Sequence, residues 1–258
     1  MRKHVMLLAL GLMGSIFVVK SQAGSGHTIF QGAVVRGDST EKKIALVFTG
    51  DTFGEGSEFI RHALKKEAVK ASFFFTGNYY RQKAFKRSIK KLKRDEHYLG
   101  AHSDKHLLYN DWQNRQQLLV DYSQWEEDIA NNYREMQRFG IKKNQAYYFL
   151  PPYEWYNDTI AKWTKQWGLQ LINFTSGTLS HADYTHPQEK NYRSSQVIWE
   201  SIFRVEQERP NGLNGFILLL HIGTDTRRTD KFYKRLPMLL KELISKGYRF
   251  VTVADLLN

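Results

Sequence analysis

Two histidines four residues apart, His102 and His106, are the side chains whose types and spacing most directly suggest chemistry in this chain. They stand in the sequence GAHSDKHLLYN, residues 100–110. On a helical turn they would share one face, and two imidazoles placed in that way can bind one divalent cation. Zinc would also need a third ligand, usually a carboxylate, and an open coordination position. The pair alone is a weak signal, because most such pairs are surface or capping histidines.

Short apolar runs alternate with helical patterns along the chain, which predicts the elements that would position these histidines. This is the pattern of βα units around a parallel sheet, closed or nearly closed, in one domain. The predicted strands are 44–48, 71–75, 145–150, 169–174, 215–220 and 248–253, and Tyr98-Leu99-Gly100 leads into the histidine segment. The predicted helices are 56–66, 81–94, 113–139, 157–167, 194–204 and 230–246.

Polar and aromatic residues follow several of the predicted strands directly. In a β/α barrel the carboxyl ends of the strands share one face, and active sites assemble there. We therefore expect these residues to meet at one site: Asp51, His102, His106, Pro152, Tyr153, Trp155 and His221.

The N-terminus predicts a cleavable segment that is not part of the folded domain. Residues 2–4 are basic, residues 5–19 are apolar and uncharged, and Ser21-Gln22-Ala23 places small residues before a cleavage point. The apolar run is short for an uncleaved membrane anchor. We expect a secretory signal over 1–23, a single domain over 24–258, no membrane span after cleavage, and a secreted or periplasmic protein.

Composition narrows the chemistry further. The chain contains no cysteine, which excludes disulfides, thiolate metal sites and cysteine nucleophiles. Its net charge of +12 could favour anionic glycans or phosphate-bearing envelope polymers. A nucleic acid partner is not expected, because the predicted signal would take the protein out of the cytoplasm.

Five segments in order resemble one known family. They are ASFFFTG (71–77), HYLGAHSDKH (97–106), FLPPY (149–153), LLLH (218–221) and GYRFVTVADLL (247–257). Residues 43–257 resemble the polysaccharide deacetylase family, the NodB-homology or carbohydrate esterase family 4 domain. The resemblance implies a distorted (β/α)7-type barrel, a divalent metal that is often zinc, and removal of acetyl groups from N- or O-acetylated carbohydrate. It also implies that His102 and His106 are metal ligands and that His221 is the general acid.

The chain departs from that family at the residues that would activate water. The first motif of the family reads phenylalanine, two aspartates, glycine, whereas this chain reads FTGD over 48–51. Thr49 therefore stands at the position of the base, and Gly50 at that of the metal aspartate. An arginine that the family places before its two prolines is Leu150 here. The fourth motif of the family is not recognisable in 173–179.

Asp51 is the nearest carboxylate, one residue late, and a glycine-containing loop could aim it at the metal. We expect it to serve as the third ligand and to take part in catalysis. The general base stays open between Asp51, Glu55 and Glu154.

Aromatic residues flank the motifs and could stack on sugar rings, with packing at the rim as the alternative. The expected substrate-binding residues are Trp112, Pro152, Tyr153 and Trp155.

The sequence thus favours a secreted, metal-dependent carbohydrate deacetylase. Two alternatives remain: a glycan-binding protein that lost catalysis with its base, and a related metal hydrolase that cuts a different glycan bond. Neither the substrate, the choice between N- and O-acetyl groups nor the oligomeric state follows from the sequence.

Overall fold

A computed structural model of the chain describes residues 26–258. The predicted signal segment, 1–23, lies outside this range. Within it, no helix is long and apolar enough to cross a membrane.

The described residues form a curled nine-stranded sheet surrounded by helices. The strands are β1 Thr28–Phe30, β2 Ala33–Arg36, β3 Lys43–Gly50, β4 Ser72–Phe75, β5 Tyr98–Ala101, β6 Tyr148–Phe149, β7 Gln170–Leu171, β8 Phe216–His221 and β9 Arg249–Val251. The helices are α1 Ser57–Lys66, α2 Gly77–Arg81, α3 Lys86–Arg94, α4 Tyr122–Gln137, α5 Asp158–Gln166, α6 Ser195–Glu208, α7 Leu236–Ser245 and α8 Val253–Leu257.

The strand order is β1-β2-β8-β3-β4-β5-β6-β7, and β9 pairs with the start of β3. Strands β3 to β9 run parallel to their neighbours in this set, whereas β1 and β2 are antiparallel additions. A single bridge between Val34 of β2 and Ile172, just after β7, brings the two ends of the sheet together. The carboxyl ends of the parallel strands therefore surround one opening.

Alternation along β3 shows how the sheet separates two apolar layers. Ile44, Leu46 and Phe48 pack with the layer that contains the helices. Ala45 and Val47 point the other way, into an inner cluster shared with neighbouring strands and α8. Because side chains alternate between the faces of a strand, Thr49 continues the inner series at the open end.

Helix α4 begins nine residues later than the sequence predicted. Asp121 caps it: its Oδ1 accepts a hydrogen bond from the Gln124 backbone N–H at 2.8 Å, and Gln124 Oε1 accepts one from the Asp121 N–H at 2.9 Å. This reciprocal pair is a capping box, which starts a helix. Residues 113–121 instead form a loop bridged through Asn110 and Leu118. The helical prediction there was wrong, because apolar spacing alone does not reveal a cap.

The basic segment predicted as one helix over 81–94 is broken as well. Helix α2 ends at Arg81 and α3 begins at Lys86, with a short 3-10 turn over Lys83–Phe85 between them. The apolar residues Ile89 and Leu92 of α3 are fully buried. The remaining lysines and arginines form its outer face, as expected for a surface helix.

Candidate active site

A cavity of about 470 Å³ opens at the carboxyl ends of β3, β5 and β8. It is lined by six of the residues expected to bind metal or substrate or to act as the acid: Asp51, His102, His106, Trp112, Tyr153 and His221. Glu154 lines it too. The structure therefore brings together most of the predicted site residues from distant parts of the chain.

The histidine pair lies on a loop and not on the helical turn that its spacing suggested. Residues 102–106 follow β5 without helical hydrogen bonding, and His106 has a left-handed backbone with φ of 57°. The loop nevertheless brings the two rings close, with centroids 5.1 Å apart. The predicted helical placement was wrong, whereas the predicted proximity of the imidazoles is observed.

His102 is held in one orientation by the backbone around it. Its Nδ1 lies 2.9 Å from the carbonyl oxygen of Leu150, which can only accept, so Nδ1 carries the proton and Nε2 is left with a lone pair. Its backbone N–H donates to Asn132 Oδ1 at 3.0 Å. Burial, followed by the nearby His106, lowers the pKa of His102 to about 3. The ring is therefore neutral near pH 7, as metal binding requires.

Asp51 enters the cavity already hydrogen-bonded through both oxygens. Oδ1 accepts from Thr76 Oγ1 at 2.7 Å and from Asn78 Nδ2 at 3.2 Å, and Oδ2 accepts from Thr52 Oγ1 at 2.9 Å. Burial acts to raise the pKa of Asp51, but hydrogen bonds from Thr76 and Thr52 and the charge of His106 leave it below its ordinary value. Asp51 is therefore a stable anion and a weak proton acceptor.

The two residues before Asp51 are directed to opposite faces of β3. Thr49 pairs with His221 across β3 and β8 and lines the cavity. Gly50 faces the opposite way, into the outer layer. A Cβ on Gly50 would lie 2.8 Å from Ile222 Cγ2 and 3.0 Å from Phe75 Cδ1. A side chain at position 50 would therefore press into packed apolar groups.

The cavity offers suitable donors for a divalent cation. His102 presents a free Nε2, burial lowers the pKa of His106, and carboxylates share the same cavity. Across 26–258, however, no three His, Cys, Asp or Glu side chains stand close enough together to hold a metal ion. The donor chemistry fits the histidine pair, whereas Asp51 as the third ligand remains a prediction.

His221 and Asp183 form the most completely paired part of the site. His221 Nδ1 lies 2.6 Å from Asp183 Oδ1, and the His221 backbone N–H donates to Asp183 Oδ2 at 3.0 Å. Burial acts to lower the pKa of His221, but the charge and hydrogen bond of Asp183 outweigh it and raise the pKa. Asp183 lies on a 3-10 turn, Ser180–Tyr184, inside a stretch that the sequence predicted as a polar loop. The sequence offered Asp183 as one acid that could orient His221, without indicating a contact.

The two other candidate bases, Glu55 and Glu154, differ in how their carboxylates are paired. Glu55 accepts hydrogen bonds from the Thr224 backbone N–H at 3.0 and 3.2 Å and pairs with Lys231 Nζ at 2.9 Å. Glu154 lies deep in the cavity, with its side chain only 13% exposed and Oε1 3.9 Å from His102 Nε2. Burial raises the pKa of Glu154 to about 7, although the charge of His221 opposes the shift.

The predicted substrate-binding residues divide into a surface and its support. Trp112 and Tyr153 are 53% and 43% exposed, and their rings meet edge to face at 5.5 Å. Trp155 supports Trp112 from behind, with ring centroids 5.4 Å apart, and donates from Nε1 to the Asp111 carbonyl at 3.1 Å. Pro152 is buried and does not line the cavity.

Sequence reasoning missed the opposite wall, which comes from loops around α6 and after β8. Its members lack a regular spacing, so no periodic signal could reveal them. They are Tyr184, His186, Glu189, Thr224 and Asp225, and Arg227 lies beside them. Arg227 is paired with Asp225 at 2.7 Å, so the cavity gains little free positive charge from it.

Comparison with known proteins places the chain in a family. The profile described as polysaccharide deacetylase matches residues 36–172, more than half of the chain. The chain belongs to the polysaccharide deacetylase family. It is 26% identical over 221 residues to a peptidoglycan-N-acetylglucosamine deacetylase of Bacillus cereus, an alignment that covers 85% of this chain and 90% of that protein.

Solved structures of family members share the fold. A carbohydrate esterase family 4 pseudoenzyme from Bacillus anthracis superposes with a TM-score of 0.69 at 19% identity, covering 89% of this chain and 70% of that one. The chitin deacetylase of Colletotrichum lindemuthianum gives a TM-score of 0.66 at 19% identity, covering 89% and 93%. The predicted α/β barrel of NodB type is thereby confirmed.

Proposed function

We propose that the protein is a secreted, metal-dependent deacetylase that removes N-acetyl groups from an N-acetylglucosamine-containing glycan such as peptidoglycan. The observation that carries this proposal is the His221–Asp183 pair, which faces the same cavity as the histidine pair. Family membership supports the carbohydrate deacetylase class, and the Bacillus cereus relative supports the choice of substrate. The N-terminal sequence pattern supports secretion.

His221 supplies the step that an amide makes difficult. An amine leaves an acetyl carbon readily only when its nitrogen gains a proton. Asp183 accepts from Nδ1, which orients the ring and favours the imidazolium form, so Nε2 can present a proton to the leaving nitrogen. Asp183 thus acts as a positioning residue for the acid.

His102 and His106 would hold a divalent cation, with Asp51 as the expected carboxylate ligand. When bound, such an ion polarises the acetyl carbonyl and lowers the pKa of water. The hydrogen bond from His102 Nδ1 to the Leu150 carbonyl orients the ring and leaves the Nε2 lone pair available for the cation.

The exposed faces of Trp112 and Tyr153 suit a sugar ring beside the reacting acetyl group. Aromatic faces present a broad apolar surface that can stack on a ring. The cavity is open at this side, so a polymer could lie across it without threading an end.

The test uses purified protein comprising residues 24–258, from which metal is removed and to which Zn²⁺, Co²⁺ or Mn²⁺ is then added. Acetate release is measured for each metal. Peptidoglycan and N-acetylglucosamine oligosaccharides are the substrates, and free amine in the glycan is measured in parallel. We expect equal amounts of acetate and amine, dependent on added metal. Failure to release acetate under every metal condition would refute the proposal.

A second candidate function, glycan binding without turnover, is favoured by Thr49 and Leu150, which stand where the family has its base and the partner of that base. Binding to insoluble peptidoglycan with no acetate release would support this alternative. Shortened glycan fragments without acetate, detected by mass, would instead indicate a related hydrolase that cuts a different bond.

A further inference from the structure

Glu154 occupies a backbone conformation that its residue type disfavours. It follows β6 in the sequence PPYEW, and its φ is 53°. Tyr153 immediately before it has φ of 59° and ψ of 8°. Side chains with a Cβ rarely adopt this left-handed region, which suits glycine. Two consecutive non-glycine residues there indicate that the surrounding structure imposes the conformation, as is often found at functional sites.

Hydrogen bonds on both sides hold this segment. The backbone N–H of Glu154 donates to the Pro151 carbonyl at 3.1 Å, and that of Trp155 donates to the Pro152 carbonyl at 3.3 Å. Asn173 Nδ2 donates to the Glu154 carbonyl at 2.8 Å. The backbone is therefore fixed, and the Glu154 side chain is directed into the cavity.

The Glu154 carboxylate is the one candidate base that protein donors leave free. Between residues 26 and 258 no hydrogen-bond donor, lysine or arginine reaches its oxygens. Its nearest basic atom is His102 Nε2, at 3.9 Å, too far for a direct hydrogen bond. Asp51 and Glu55, by contrast, each accept from several donors. A buried carboxylate without a donor requires another partner, such as water or substrate.

We propose that Glu154 is the general base of the deacetylation and replaces the aspartate that is missing at position 49. The proposal rests on the deacetylase function proposed above. Glu154 Oε1 lies 3.9 Å from His102 Nε2, and His221 faces the same cavity from β8. One strand end thus supplies the base, and another supplies the acid.

The reaction balances with these two residues. Glu154 accepts one proton from water while the water oxygen forms a bond to the acetyl carbon. The carbon–nitrogen bond then breaks, and His221 gives its proton to the departing nitrogen. Acetic acid and a free amine leave the site, and the acetic acid loses its remaining proton to solvent to become acetate. Glu154 then releases its proton to solvent, and His221 takes one up, which restores the starting state.

The decisive variant is Glu154→Gly, because glycine suits the left-handed backbone and the protein should keep its fold. We expect kcat to fall by about 10²–10⁴-fold, the usual contribution of a general base. Formate or azide should restore part of the activity by entering the space that the side chain leaves. The matched comparison is His221→Gly, which should lose activity but gain nothing from formate.

Zn²⁺ titration by calorimetry on wild type and Glu154→Gly separates a base from a metal ligand. Unchanged Zn²⁺ affinity, an unchanged melting temperature or a higher one, and rescue by formate would support the proposal. Loss of Zn²⁺ binding would overturn it in favour of a ligand role. Full activity of the variant, or an inactive folded variant that formate does not rescue, would also overturn it. An inactive wild-type protein would refute the proposed function itself.

Discussion

The two sides of the cavity are built in different ways. On the β8 side, His221 meets Asp183 through both its ring and its backbone, and Asp183 is only 1% exposed. On the β3 side, Thr49 has a buried hydroxyl for which residues 26–258 supply no partner. Asp51, two residues later, accepts hydrogen bonds from Thr52, from Thr76 and from Asn78 of α2.

The difference suggests which catalytic group of a hydrolase can move to another strand end: the base, and not the acid. A proton donor must meet one particular nitrogen in one geometry, so its ring and its positioning carboxylate must be fixed together. A base needs only to reach a small, freely oriented water molecule. Because all the strand ends surround one opening, a base at the end of β6, as we propose for Glu154, could replace one at the end of β3.

The largest expected effect comes from removing the acid. His221→Asn should lower kcat for amide substrates by about 10²–10⁴-fold while leaving Zn²⁺ affinity unchanged. Acetate release and calorimetry measure the two quantities. A variant that keeps more than about a tenth of the wild-type kcat would lie well outside the expected loss. His221 would then not be the acid, and the contrast between the two sides of the cavity would not hold.

Asp183→Asn should change the pH dependence. Asp183 raises the pKa of His221, and the acid works only while protonated, so the variant should lose activity at a lower pH than wild type. The same linkage predicts that the pair stabilises the fold fully below the unfolded histidine pKa of about 6.5, and that this contribution is lost as pH rises through the folded pKa.

The measurements for Asp183→Asn are a pH–rate profile and melting temperatures across the same pH range. His186→Gln serves as a control for general effects of changing a buried histidine in that wall. An unshifted alkaline limb for Asp183→Asn would show that Asp183 only supports the loop.

Gly50→Asp tests whether the family's metal aspartate can be restored by one substitution. The Cβ would press against Ile222 and Phe75, so the free energy of unfolding should fall by at least about 1–3 kcal/mol, the usual cost of overpacking. Gly50→Ala isolates the steric part and should be less destabilising, because it buries no charge. Chemical denaturation measures both. A stable Gly50→Asp with raised activity would contradict the argument.

Thr49→Val should have the smallest effect. It removes a buried hydroxyl for which the described residues offer no acceptor, so the free energy of unfolding should rise by up to about 1 kcal/mol, with little change in turnover. Denaturation and acetate release are the two readouts. A large loss of activity would mean that the Thr49 hydroxyl contacts substrate or water. The β3 side would then contribute a polar group to the reaction.

Much of the site could be predicted because strand alternation continues past the strand ends. Ala45, Val47 and Thr49 share the inner face of β3, and Asp51 is the next position in that series. Ile217 and Leu219 likewise lead to His221 on β8. A period of two therefore indicates which residues face the opening, once the strands are known.

The rest depended on loops, where local hydrogen bonds decide the path. The HxxxH spacing suggested a helix, but the segment after β5 follows left-handed turns at Ser103 and His106 instead. Nothing in the spacing of Asp183 relative to His221 indicated that they pair, since 38 residues separate them. The sequence left the base open between Asp51, Glu55 and Glu154, because the hydrogen bonds that Asp51 and Glu55 accept come from distant residues that no spacing indicates.

One buried side chain links the loops that form the irregular wall of the cavity. Arg228 is fully buried, and its guanidinium donates to the carbonyls of Thr185, Arg193 and Asp230. It therefore joins the segment before α6, which contains Thr185 and Arg193, to the loop after β8, which contains Asp230. Opening either loop would take carbonyl acceptors away from a buried charge. The amide hydrogens around Thr185 should therefore exchange with solvent as slowly as those of the barrel strands.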